Sequence, residues 1–252
     1  MKKIIVTFLL TLFTIENLNA QEGYHIGVYA MPLSSWMLNK QDSDAPKDTF
    51  SYLKTYGMSA GISVGYHFED NLGIHVNVLY SAQGQDHTYK NRLQDTVRHQ
   101  LRQYFVKVPV LFKYTTDPEM KYAFTAEIGP QFNFLVGVKE RNNDRAYSYE
   151  QVPFVYKTNV PSRYETFNSF LLGATFRTGL DVKLRYNMKM NTRVWADYAF
   201  TDAENKKASY DLTTQGITQS VSYYPQNRPK TTNITGGLLI GVTYILMPKL
   251  HY

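Results

Sequence analysis

Residues 57–68 read GMSAGISVGYHF. Met58, Ala60, Ile62, Val64, Tyr66 and Phe68 are apolar, and the positions between them are Gly, Ser or His. Alternation with period two is the mark of a strand, because successive side chains point to opposite faces. The same pattern recurs along the chain. It predicts strands from Tyr24 to about Leu38 and over 57–68, 72–82, 103–114, 122–138, 169–184, 191–201 and 233–246, eight in all. The links between them alternate in length. Residues 69–71, 115–121 and 185–190 read as short turns. Residues 39–56, 84–102, 139–166 and 202–230 read as long loops. Such alternation puts every short turn at one end of the strands and every long loop at the other. An even number of strands brings both ends of the sheet to the short-turn end.

The two faces of these strands differ in kind. One carries large apolar residues without charge in its central part. The other carries Gly, Ser, Thr, Asn and Gln together with Lys107, Glu127, Arg177, Asp181, Lys183, Arg193 and Asp197. Two closed barrels fit an alternating sheet: a soluble one of the lipocalin type, apolar face inward, and a membrane one, apolar face outward. An eight-stranded barrel is only just wide enough for side chains to fill it, with about a dozen in its packed layers. The apolar face holds several times that number, many of them Phe or Tyr, and only lipid has room for them. Backbone polar groups in hydrocarbon need internal partners, so the sheet must close. Tyr66, Phe68, Tyr80, Tyr104, Tyr114, Tyr122, Tyr198, Phe200 and Tyr244 fall toward strand ends, where aromatic girdles form. The fold class expected is therefore all-β: an eight-stranded, antiparallel, up-and-down transmembrane barrel. Its lumen is expected to be filled by side chains, since Tyr29, Leu79, Phe105, Leu135, Trp195 and Leu239 share the polar face.

Composition adds an address. The chain has 252 residues, no cysteine, 21 Tyr and 14 Phe. It opens MKKIIVTFLLTLFTIENLNAQEG: two lysines, a short apolar run and a small residue at Ala20, the pattern of a secretory signal peptide cut after residue 20. Residues 21–252 then form one barrel domain. The formal net charge of +6 becomes about +5 without Lys2, Lys3 and Glu16. Gln21 follows the cut, where a lipid anchor would need Cys.

The stretch Tyr104-Phe105-Val106-Lys107-Val108-Pro109-Val110-Leu111-Phe112-Lys113-Tyr114 resembles the fourth-strand signature, ending in P-x-x-x-K-Y, of the PorT-like outer-membrane β-barrel family of Bacteroidota. GISVGYHFEDNLGIHVNVLYSAQG is similar to that family's second hairpin. The resemblance covers residues 21–252. It implies a barrel in the outer membrane of a Gram-negative bacterium, with periplasmic turns and exterior loops. It does not select a task, because the family is heterogeneous and only some members are linked to type IX secretion. The tail ILMPKLHY resembles the assembly signal read by the barrel-insertion machinery, although Pro248 interrupts it.

Candidate chemistry is sparse. Lys107, Glu127, Arg177, Asp181, Arg193 and Asp197 read as an ion-pair network filling the lumen, with Lys107–Glu127 and Arg177–Asp197 on consecutive strands; an ion or proton path is the alternative. His25, His67 and His75 fall on lumen faces, and His87 and His99 in the second long loop, as solvated residues. Their spacing matches no metal-ligand motif and no Ser/His/Asp arrangement, so neither a metal, a cofactor nor catalysis is expected. Pro109 and Pro130 inside strands should each mark a bulge or a missing ladder bond. The third loop mixes Tyr147, Tyr149, Tyr156, Arg145 and Arg163, residue types common in recognition surfaces. The loops are slightly basic, which suits anionic neighbours such as lipopolysaccharide and makes no case for nucleic acid. The function expected is a non-enzymatic outer-membrane barrel with a structural or binding role, meeting a protein or ligand through its loops. The alternative is a transport or secretion accessory, either a small channel or part of a type IX-like complex.

Overall fold

The computed structural model describes residues 23–44, 50–90, 96–117, 120–142, 155–158, 162, 165–185, 187–214, 217–222 and 227–246. The signal-peptide reading and the C-terminal residues 247–252 lie outside them.

Twelve strands and one short helix form among the described residues. They are β1 (Tyr24–Asn39), α1 (Lys40–Ser43), β2 (Phe50–Leu53), β3 (Thr55–His67), β4 (Leu72–Lys90), β5 (Thr96–Thr115) and β6 (Tyr122–Asn142). The remainder are β7 (Val155–Thr158), β8 (Phe170–Arg185), β9 (Met188–Ala199), β10 (Ser209–Thr214), β11 (Ile217–Ser222) and β12 (Thr231–Ile245). Eight of them close a ring in the order β1-β3-β4-β5-β6-β8-β9-β12, and β12 pairs back to β1 from His25↔Ile245 to Asn39↔Thr231. All pairings are antiparallel. The up-and-down eight-stranded barrel is thus as the alternation predicts, and closure leaves no edge in the ring.

The faces sort as expected. Ile62, Val64, Ile74, Val76, Phe112, Ile128, Phe176, Val194, Leu238 and Ile240 are exposed on the outside. Ser59, Ser63, Asn77, Thr125, Glu127, Arg177 and Arg193 are buried within. Outward aromatic rings pair in two belts. Tyr24–Tyr66 (4.8 Å) and Phe68–Phe112 (6.2 Å) lie toward the turns, and Tyr80–Tyr104 (6.1 Å), Phe134–Phe170 (5.4 Å) and Tyr198–Phe200 (5.7 Å) toward the other end. From Tyr104 to Tyr114 the strand rises about 33 Å, which a tilt of about 40° reduces to about 25 Å, the height of an apolar band in such barrels.

Two expectations change. Residues 84–102 are mostly strand, not loop: β4 runs to Lys90, β5 starts at Thr96, and their ladder continues to Lys90↔Thr96. Together with β6 they raise a wall beyond the upper belt. The backbone groups there remain paired with each other rather than with solvent, so the alternation simply gives way to polar side chains. Loop one also adds β2, which continues the line of β3 past Lys54 and pairs Asp86–Tyr89 of β4. Strands β7, β10 and β11 make a separate small sheet from the third and fourth loops.

The prolines interrupt ladders without shifting them. The β4–β5 pairing passes from Val76↔Val110 to Leu79↔Lys107, omitting Pro109. The β5–β6 pairing passes from Pro109↔Gln131 to Phe112↔Ile128, omitting Pro130. The register shift in that pair lies elsewhere, between Tyr104 and Phe105. A proline has no N–H to give, so these are missing bonds rather than bulges. Inside, large and small residues alternate to fill a narrow space. A Cβ on Gly241 would lie 2.1 Å from Cδ1 of Tyr29, so only glycine lets that ring lie against the inner wall.

The outward face generates a depth-dependent prediction. Val76→Lys, midway between the belts, should cost about 2–4 kcal/mol of barrel stability, whereas Tyr80→Lys at the upper belt should cost about 0–1 kcal/mol. Urea unfolding in lipid vesicles measures both.

Candidate functional site: the closed barrel interior and its exterior wall

Strand β9 gives the order of the interior. From the turn end upward its inward residues are Lys189, Asn191, Arg193, Trp195, Asp197 and Ala199, all buried. They pass through successive layers of the interior. At the level of Asn191, Asp181 of β8 accepts hydrogen bonds from Lys113 Nζ (2.8 Å), Asn191 Nδ2 (2.8 Å) and Arg193 Nη2 (2.6 Å). Arg193 also donates through Nη1 to Glu127 Oε1 (2.7 Å) and through Nε to Thr125 (3.1 Å). His75 Nδ1 lies 3.1 Å from the same Glu127 oxygen. Above them Trp195 packs with Tyr29, Met31, Leu33, Leu79 and Leu239. Higher still, Asp197 accepts from Lys107 Nζ (2.9 Å), Gln131 (3.0 Å) and Thr235 (3.1 Å). Ala199 joins Met37, Leu101, Phe105, Leu135, Leu171 and Ala203 in an apolar layer at the exterior end.

The six charged residues anticipated in the lumen are therefore all inside, but their partners differ from those expected. Lys107 meets Asp197, not Glu127, and Glu127 is held chiefly by Arg193. The reason is geometry: in so narrow a barrel a side chain reaches across the lumen as easily as along the wall. Arg177 lies directly beside Glu127 in the β6–β8 register, yet its Nη1 stays 3.8 Å from Oε2. None of its three nitrogens makes a hydrogen bond among the described residues. Lys113 and His75 complete the lower network and were not among the six. Their inward parity was legible, but not their partners.

A cavity of about 10 Å³ remains among Gln83, Lys107, Gln131, Asn133, Asp197, Asn233 and neighbouring residues. That is roughly the room of one water.

Outside the upper belt the chemistry changes. Asp86 of the β4–β5 wall accepts from Arg98 Nη2 (2.9 Å), from Gln100 (3.2 Å) and from Arg102. Burial opposes its charge, but the bonds from Arg102 and Arg98 outweigh it and hold the carboxyl below its ordinary range. His99 pairs with Glu140 of β6, and the His87 ring lies tilted against His99 at 4.5 Å between ring centres. Burial, with His99 beside it, pushes the His87 imidazole down to about 4. These two histidines thus belong to a built strand surface, not to a solvated loop. At the exterior end, beside the neighbouring strands β1, β12 and β9, Arg228 bridges Asp42 of α1 (2.8 and 2.9 Å) and Glu204 (2.8 and 2.9 Å), joining the first and fourth loops. Of the recognition residues read in the third loop, Tyr147, Tyr149, Arg145 and Arg163 lie outside the described residues, and Tyr156 is placed only as part of β7.

The network predicts an asymmetry between two buried arginines. Arg193→Met strands Glu127 and Asp181 and should cost about 3–5 kcal/mol, as removal of one partner of a buried pair does. Arg177→Met removes a cation that makes no such bonds and should be close to neutral or stabilising. The temperature at which heat-modified gel mobility is lost should fall only for the first.

Comparison of the sequence with curated proteins finds no match. Among solved structures, the outer membrane protein OprG of Pseudomonas aeruginosa superposes with a TM-score of 0.50 at 11% identity, over 91% of this chain and 98% of that one. Neisserial surface protein A gives 0.43 at 12% identity, over 89% and 97%. The outer membrane protein W of Escherichia coli gives 0.35 at 13%, over 90% and 100%. At these identities the likeness to OprG is one of fold. Residues 17–205 match the family of the outer membrane protein beta-barrel domain. With its closed ring, its lipid-suited outer face and that match, the chain belongs to the outer membrane protein beta-barrel domain family, and its place is the outer membrane of a Gram-negative cell.

Proposed function

We propose that this protein is a non-conducting, non-enzymatic barrel that works through its exterior surface. The observation that carries this reading is the filled lumen. Two charged layers and two apolar layers succeed one another along β9, and the cavity beside Lys107 and Asp197 has room for about one water. A solute would have to displace Arg193 from two carboxylates and separate Trp195 from its neighbours. Such a barrel acts as an anchor, and the part offered to partners is the wall of β4, β5 and β6 with the sheet of β7, β10 and β11. The wall is a continuous ladder of paired strands rather than a loose loop, and Arg228 ties the first loop to the fourth beside the neighbouring strands β1, β9 and β12. Lipid and lipopolysaccharide surround it. Lys90, Arg98 and Arg141 on the exterior wall suit contact with the anionic headgroups.

The resemblance to PorT-like barrels keeps an accessory role in a type IX-like secretion complex as the competing reading, since the same surface could dock a translocon. In planar bilayers the protein should give no current steps. A reproducible single-channel conductance would overturn the closed-barrel reading. Recovery of a stoichiometric secretion complex by gentle-detergent capture would instead favour the accessory role.

A further inference from the structure

At the turn end of the lumen three histidines gather. His25 comes from β1, His67 from β3 and His75 from β4, three neighbouring strands of the ring. All three are buried, at 2%, 1% and 1% exposure. One ring nitrogen of each lies within 4.8 Å of the others. From these positions we infer that the cluster is a binding site for a single first-row transition-metal ion, of the kind imidazole favours: zinc, copper or nickel. Its three ligands are His25, His67 and His75. Hard ions such as calcium and magnesium, which take oxygen donors, are not its ligands.

Three features support a built site rather than three filler side chains. The first is register. His25 faces Gly65, and Gly65 faces His75, so the two imidazoles flank a residue with no side chain. A Cβ on Gly65 would lie 2.1 Å from Nε2 of His25 and 2.5 Å from Cδ2 of His75. The gap over the middle strand is therefore what lets the rings meet. The second is orientation. Nε2 of His25 points directly at Nε2 of His75. His75 presents its other nitrogen, Nδ1, to the Glu127 carboxylate at 3.1 Å. An ionised carboxylate only accepts, so Nδ1 holds the proton and Nε2 turns its lone pair toward the cluster. A ligating histidine whose second nitrogen donates to a carboxylate is the usual arrangement around a bound metal. The third is charge. Lys113 and Arg193 approach this end, and Asp181 and Glu127 bind them.

Tetrahedral coordination at about 2.0–2.1 Å sets ligand nitrogens about 3.3 Å apart, so the rings need shifts on the order of 1 Å to close on an ion. Because the ligands span β1, β3 and β4, the ion would staple the first three strands of the ring at the periplasmic mouth. No local motif marks this site, because its ligands are 8 to 50 residues apart on separate strands.

The test uses untagged protein extracted from membranes in detergent and stripped with a chelator. Titration with Co²⁺ should give ligand-field absorption that saturates at one ion per chain and is bleached by Zn²⁺, and bound Zn²⁺ should raise the temperature of heat-modified gel mobility. His25→Ala and Gly65→Ala should each abolish the band, the second while keeping all three imidazoles. Glu127→Gln should weaken Zn²⁺ binding about 10–100-fold. The double variant His87→Ala, His99→Ala should bind as the native chain does. Absence of a saturable Co²⁺ signal in the native protein overturns the inference whatever the variants do. So does binding that survives both His25→Ala and Gly65→Ala in folded protein, or binding that is lost only when His87 and His99 are removed.

Discussion

The bilayer is the solvent that the structure answers to. Hydrocarbon offers no hydrogen bonds, so every backbone N–H and C=O at membrane depth must find a partner within the protein, and a strand array achieves this only by closing. Once the ring closes on eight strands, its width follows, and the interior becomes a column that side chains must fill. Large apolar residues then go outward because lipid accepts them without limit. Polar residues go inward because nothing else will take them. The inside-out arrangement of Val76 and Glu127 is one consequence of a single constraint.

That constraint also explains why charge concentrates in the lumen. A buried ion is tolerated only when paired and hydrogen-bonded, and the narrow column brings residues from opposite walls within reach. Asp181 collects Lys113, Asn191 and Arg193, and Asp197 collects Lys107, Gln131 and Thr235. Apolar layers around Trp195 and Phe105 separate and cover these groups. The result is a solid shaft rather than a pore. Beyond the upper belt the same strands meet water on both sides, and the wall of β4, β5 and β6 is free to carry Asp86, Arg98, Arg102, His99 and Glu140 as a structured surface.

Much of this was legible in the order of residues. Period two identifies the strands, the size and polarity of alternate residues identify the two faces, and the lengths of the links identify the two ends. All are local or additive properties, so each can be read without knowing what lies beside what. The inward side of Lys107, Glu127 and His75 follows from parity alone. Where local signals were silent the reading went astray. Nothing in residues 84–102 signals that they stay paired as strand, because polar alternation outside the membrane looks like loop.

The sequence by itself therefore determined the topology, the closure and the facing of side chains, since lipid imposes those on each strand separately. Only the tertiary structure decided who meets whom: that Lys107 takes Asp197 and Glu127 takes Arg193, that Arg228 ties Asp42 to Glu204, and that His25, His67 and His75 converge over Gly65. Those contacts depend on the curvature and stagger of the closed sheet, which set distances across the lumen between residues far apart in the chain, and no pattern along a single strand encodes them.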